Sequence, residues 1–120
     1  MPMKTLTLRQ ARCAFSLAIA QLLLYAHTLG YEVALAEGMD RRTEKDPTSD
    51  HMTGSLHDIG LAQDLDLYLK GVYLMATEDH SPLGMWWEEY GVEQGLPLVW
   101  GGNFSSQDGN HYALRFNGKS

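Results

Sequence analysis

Residues 54–71, "GSLHDIGLAQDLDLYLKG", decide the fold. From Leu61 onward, Leu61, Leu65, Leu67 and Leu69 fall on one side of an extended chain, and Ala62, Asp64, Asp66 and Tyr68 fall on the other, as the two-residue period of a strand requires. That alternation predicts a strand with one buried and one polar face. The run continues as "LYLKGVYLM", so the strand turns back on itself as a hairpin with Lys70 and Gly71 at its tip, although Lys-Gly is a weaker turn signal than Asn-Gly. His57 and Asp64 stand at the entrance to this strand. On a flat strand they would face opposite ways, and on a helix they would lie roughly 10 Å apart. The chain must bend between them if they are to meet, and Gly60 permits the bend.

Upstream, "AFSLAIAQLLLYA" carries a helical stripe of Phe15, Ala18, Ile19, Leu22, Ala26 and Leu29. Thr7 with Gln10 forms a capping box, and Gly30 is the C-terminal stop. With Lys4, Arg9 and Arg12 before it and "ALA" at residues 34–36, this segment imitates a signal peptide. Its apolar run is too short to span a bilayer, and the caps favour a structural helix of the mature protein. "YEVALAE" then reads as a strand ended by Gly38, and residues 38–54 as a long polar surface loop. In "HSPLGMWWEEYG" Ser81 is the expected cap, Pro82 the first helical residue and Gly91 the stop. "LPLVWGGNF" and "HYALRF" read as short strands around a polar loop at residues 101–110. The order predicts an α+β fold: one small domain over residues 1–120, with a mostly antiparallel sheet and flanking helices.

Composition narrows the partners. A chain of 120 residues with 44% hydrophobic composition supports one core. Nine scattered Lys and Arg against fifteen Asp and Glu, a net charge of −6, argue against a nucleic-acid binder, which needs clustered cations. Cys13 is the only cysteine, so there is no internal disulfide framework or cysteine-rich zinc module.

Two imidazoles and a carboxylate are a common donor set for catalytic zinc, and His57, Asp64 and His111 are the candidates. Asp108, three residues before His111, is placed to act as general base toward a water attacking a carbonyl carbon. Spacing alone leaves plainer roles open. A lone histidine is usually hydrogen-bonded or solvated, and Asp beside Gly usually makes a turn.

Ser55, His57, Gly60, Ala62 and Asp64 match the S-x-H-x-x-G-x-A-x-D signature in full. The chain thereby resembles the zinc peptidases that include D-alanyl-D-alanine carboxypeptidases and phage L-alanyl-D-glutamate endopeptidases. "EDHSPLGMWWE" and "WGGNFSSQDGNHY" look like the corresponding segments of the phage endolysin branch, and the similarity runs from about Glu37 to Tyr112. The resemblance implies a Hedgehog/D-Ala-D-Ala peptidase-like fold, zinc held by His57, Asp64 and His111, and Asp108 as catalytic acid or base. It also implies an arginine that steadies substrate or oxyanion, for which Arg42 and Arg41 compete. Ser55, Trp100 and Tyr112 fall on the substrate side of this reading, with Trp86 a further aromatic at the cleft. Two features depart from the family pattern. Where many relatives carry a glutamate shortly after the last ligand, this chain has Arg115, which leaves support of the ligands to Asp66 or Glu37. The loop at residues 43–53 also differs.

The function implied is that of a phage-type endolysin, a peptidoglycan hydrolase using zinc to cut the L-Ala to D-Glu bond of cell-wall stem peptides and contributing to cytolysis. A D,D- or L,D-carboxypeptidase of the same family, or a catalytically silent wall-binding domain stapled by metal, are the alternatives. The expected partners are peptidoglycan stem peptides, with no nucleic acid, no stable membrane association and a monomeric state. The expected location is the host bacterial cytoplasm, with access to the wall after release through a membrane lesion.

Overall fold

The computed structural model describes residues 5–36 and 55–120. Helix α1 (Leu8–Thr28) begins at the expected capping box: Thr7 Oγ1 accepts from the Gln10 amide at 3.2 Å, and Gln10 Oε1 accepts from the Thr7 amide at 2.9 Å. Each interaction satisfies an amide that the first helical turn would otherwise leave unpaired. The buried stripe is Ala11, Phe15, Ala18, Leu22 and Ala26, the spacing of one helix face. Leu29, expected on that stripe, is instead the C-cap residue and is 45% exposed.

Strand β1 (Tyr31–Leu35) pairs antiparallel with β2 (Ala62–Leu69), which pairs antiparallel with β3 (Val72–Leu74). Lys70 and Gly71 join β2 to β3 with φ of 51° and 79°, both left-handed. That is the twist a two-residue hairpin needs to match its strands. Helix α2 (Ser81–Gln94) follows, then β4 (Leu98–Trp100) and β5 (His111–Leu114). The sheet order is β1-β2-β5-β4, with β3 also against β2. All pairings are antiparallel. The α+β architecture expected from the alternating strand is therefore the architecture present.

The boundaries of α2 differ from expectation. His80 holds the N-cap without a side-chain cap bond, and Ser81 is already helical. Gly91 does not stop the helix; Gly95, with φ of 69°, does. A Cβ on Gly91 would lie 2.8 Å from the Leu96 carbonyl oxygen and 2.9 Å from Leu98 Cβ. Gly91 is thus a point of close packing against the chain that returns into β4.

The helices cover one face of the sheet, where Leu61, Leu65 and Leu67 are wholly buried. Trp87 is the centre of this core. Its Nε1 donates to the carbonyls of Val99 (3.0 Å) and Ala113 (3.2 Å), and its ring meets Phe15 and Tyr112 edge-on at 5.9 and 6.0 Å. Trp86 stacks instead between Tyr25 and Tyr90 on the helix surface. Among the described residues no helix is long and apolar enough to cross a membrane.

His80 is 3% exposed, with Nδ1 2.8 Å from the Tyr112 hydroxyl. His80 thus bonds across the core to β5 rather than within its own turn. Burial lowers its pKa, against the opposing pull of Asp79 and Asp66. An unfolded histidine takes up a proton near pH 6.5, whereas the folded one does so only at lower pH. Its contribution to stability is therefore complete above about pH 6.5 and is lost as pH falls toward the lower folded value. Urea unfolding at pH 7.5 and 5.5 is expected to show a smaller acid-induced loss in His80→Gln than in the wild type.

Candidate metal centre

The bend expected at Gly60 is a compact turn. The Leu61 amide donates to the Leu56 carbonyl at 2.8 Å, the Asp58 amide to the Ser55 carbonyl at 3.0 Å, and Gly60 has φ of 77°. Leu56, 3% exposed, pins the turn to the core, and Arg12 Nε donates to the Ile59 carbonyl at 2.7 Å, tying it to α1. The reversal brings His57 back over the start of β2, with Nε2 3.5 Å from Asp64 Oδ1.

Asp64 lies on the face of β2 turned away from the buried leucines, directly opposite His111 in the β2–β5 register. His111 Nδ1 is 3.4 Å from the same Asp64 oxygen. Each of the three residues offers one ligand atom, all within 4.8 Å of one another. Their side chains are 18% (His57), 30% (Asp64) and 8% (His111) exposed, so the group is largely covered by protein yet partly open to solvent. Donors about 2.0–2.1 Å from a tetrahedral zinc stand roughly 3.4 Å apart, which is the spacing of Asp64 Oδ1 from both imidazoles. Asp64 Oδ1 and His111 Nε2 are buried without a hydrogen-bond partner. Such orphaned polar atoms are uncommon in proteins, and for the carboxylate oxygen a cation is the natural complement. The residues present fit a divalent metal of the zinc class.

The loop from β4 to β5 brings Asp108 to this group. The amides of Phe104 (3.1 Å) and Asp108 (3.0 Å) both donate to the Gly101 carbonyl, and the His111 amide donates to the Asp108 carbonyl at 3.1 Å. Glu88 of α2 clamps the loop's start, accepting from the Trp100 amide at 2.9 Å and from Asn103 Nδ2 at 3.0 Å. The Asp108 side chain reaches the solvent-exposed rim, yet its carboxyl pKa is raised. Partial loss of hydration is the main cause, followed by the charge of Asp64, with His111 and His57 pulling it down. The charges of all three candidate ligands are therefore felt at Asp108, and a bound cation would oppose the rise.

Gly101 is what lets the loop close. A Cβ there would stand 2.2 Å from the Asp108 carbonyl oxygen and 2.9 Å from His111 Cβ, both held in place by the loop's own hydrogen bonds. Gly101→Ala is expected to cost about 1–3 kcal/mol, the usual range for overpacking. It should also displace Asp108 and His111, so metal affinity falls while circular dichroism still reports the α1 and α2 helices.

Other residues singled out in the sequence have different placements. Trp100 and Tyr112 are 6% and 0% exposed and belong to the core. Their rings offer no surface to a substrate, because both side chains face the helices, and Trp100 Nε1 donates to the Gly109 carbonyl at 2.6 Å. Trp86 is committed to its surface stack. Ser55 is half-buried in the turn, where its hydroxyl accepts from the Asp58 amide at 3.3 Å. Arg41, Arg42, Glu37 and the loop at residues 43–53 lie outside the described residues. Arg115, which stands where the resemblance would set a glutamate, is exposed and donates from Nε to Ser120 Oγ at 2.8 Å. Asp66 does not support the histidines either; it accepts a hydrogen bond from Tyr73.

Two contributors were not singled out from the sequence. Glu88 holds the loop through a backbone amide twelve residues away, a relation that no local pattern carries. Phe104, with its ring 5.7 Å from that of His111, is the apolar neighbour of the group; its place directly after Gly-Gly-Asn was the available signal.

No protein-family model matches the chain, and no curated protein sequence matches it. Its fold is similar to the crystal structure of Serratia marcescens L-Ala D-Glu endopeptidase ChiX. The TM-score is 0.68 at 24% sequence identity, over 91% of this chain and 84% of that one. The likeness shows the fold: a small single domain with an antiparallel sheet and flanking helices, of the kind found in that endopeptidase.

Proposed function

We propose that this chain is a zinc-dependent peptidoglycan hydrolase of the phage endolysin type, cutting the L-Ala to D-Glu bond of wall stem peptides. The observation that carries this reading is the convergence of His57, Asp64 and His111 within 4.8 Å in a partly open setting with Asp108 beside them. The fold it shares with an L-Ala D-Glu endopeptidase supports the choice of bond.

His57, Asp64 and His111 would hold the metal, which when bound supplies a water activated near neutral pH and polarises the scissile carbonyl. Asp108 at the rim takes the proton released as the carbon–oxygen bond forms. It returns that proton to the leaving nitrogen as the carbon–nitrogen bond breaks, so one water is consumed and the carboxyl is regenerated. Arg42 or Arg41 stabilises the negative charge on the carbonyl oxygen in this scheme. Acting as an endolysin, the enzyme would accumulate in the host cytoplasm and meet the wall after a membrane lesion.

The test is mass spectrometry of purified Gram-negative peptidoglycan digested with the protein, with and without a chelator. Chelator-sensitive release of peptides beginning at D-Glu is the expected result. Peptides beginning at L-Ala would mean amidase chemistry, and loss of terminal D-Ala a carboxypeptidase. No fragments at all would favour a silent wall-binding domain, the reading to which Arg115, standing where the resemblance sets a glutamate, gives some weight.

A further inference from the structure

The sheet face that carries Asp64 does not end at the candidate metal group. Along β2 the same face presents Asp66 and Tyr68, roughly 7 and 13 Å beyond Asp64 at the usual strand rise. Tyr73 stands directly opposite Tyr68 across the β2–β3 hairpin, and Glu32 opposite Tyr68 on β1. The two tyrosine rings lie 5.3 Å apart at 47°, and Tyr73 donates its hydroxyl to Asp66 Oδ1 at 3.4 Å. Tyr73 is 48% exposed; Asp66 and Tyr68 are half-buried, and Glu32 is exposed. Ala34, the neighbour of Asp66 on β1, is exposed and adds only a methyl group, so nothing on that strand walls the carboxylate off.

The core does not require this arrangement, since every member is on the face turned from the helices. A hydroxyl bonded to a carboxylate ordinarily approaches to about 2.5–2.7 Å. The Tyr73 contact is far longer, which leaves the charge of Asp66 largely uncompensated by it. A carboxylate touched by one tyrosine hydroxyl and set on the same face as a pair of tyrosine rings is a site for an organic cation, which gains an ion pair from Asp66 and cation–π contact from a ring.

We infer that Asp66, Tyr68 and Tyr73, with Glu32 at the margin, form a subsite for the side-chain ammonium of the diamino acid in a stem peptide. This assignment rests on the hydrolase reading above and adds the substrate feature it selects. The geometry suits such a group. Two extended residues span about 7 Å, so a diamino acid second after the scissile bond, with its long side chain, reaches the tyrosine pair when the reacting carbonyl is at the metal group.

The test uses binding, so that it does not depend on catalysis. Titration calorimetry of the full chain compares the dipeptides γ-D-Glu-L-Lys and γ-D-Glu-L-norleucine, which lack the L-Ala to D-Glu bond and differ essentially in the terminal ammonium. The lysine dipeptide is expected to bind about tenfold more tightly, with the advantage shrinking as salt is raised. Asp66→Asn should remove the preference, and Glu32→Gln should reduce it less. Equal binding of the two dipeptides by the wild type, or no binding of either, overturns the subsite. A preference that survives Asp66→Asn overturns its assignment to this face. The wall digest reads the other question separately: a lysine preference without cleavage leaves the subsite standing and removes the hydrolase, whereas cleavage without a preference does the reverse.

Discussion

His57→Ala is expected to abolish metal binding and peptidoglycan cleavage together. Loss of groups that merely orient metal ligands typically costs 10–100-fold in affinity, so removing one of three protein donors should cost more than about 100-fold. The remaining Asp64 and His111 belong to adjacent strands and would still face each other, which makes the loss specific to the donor. The fold should persist, because His57 occupies a turn whose anchors are Leu56 and the Arg12 contact to the Ile59 carbonyl. Calorimetric titration with zinc, circular dichroism and the wall digest check the three statements in turn. Cleavage that continues in the variant, or zinc affinity unchanged from the wild type, would overturn the assigned centre.

Asp108→Asn should lower kcat by roughly 10²–10⁴-fold, the range attributed to a positioned acid or base, with little change in zinc affinity. The side chains are nearly the same size, and Asp108 reaches an exposed rim, so neither packing nor the path of the loop depends on its charge. The loop is held instead by backbone bonds to the Gly101 carbonyl and by Glu88. The amide cannot take up and return a proton at neutral pH, and that is the single function removed. Steady-state rates on a defined stem peptide, beside zinc titration of the same preparation, make the measurement. A kcat equal to the wild type would assign proton transfer to another group; an equal fall in zinc affinity would mark Asp108 as part of the metal's surroundings.

Local regularities carried much of the architecture. The period of two in residues 61–69 predicts which face of β2 is buried, and the structure buries Leu61, Leu65 and Leu67 while Asp64 faces the candidate site. Thr7 and Gln10 mark the start of α1 because a capping box is complete within four residues. Gly60 marks the bend between His57 and Asp64 because a left-handed residue is needed at a sharp turn. In each case the physical cause acts over a few residues, so the relevant atoms are neighbours in the chain.

Where the cause acts between distant segments, local pattern misleads. Gly91 has the look of a helix stop, but its missing side chain makes room for Leu96 and Leu98, and the helix passes through it to Gly95. Trp100 and Tyr112 are amphipathic rings that would suit a cleft as well as a core. Their burial is decided by the register of β4 on β5, which turns both toward the helices.

The sequence by itself determined the α+β class, the strand, its hairpin and the candidates His57, Asp64, His111 and Asp108. Tertiary structure alone decided that the first three converge, since His111 meets Asp64 only through the β2–β5 register. It alone placed Glu88 under the loop that brings Asp108 to them, and set Asp66 beside two tyrosines on the same open face. Side-chain periodicity is written into adjacent residues, but the distance between residues 57 and 111 depends on sheet pairing and core packing, which involve the whole chain at once.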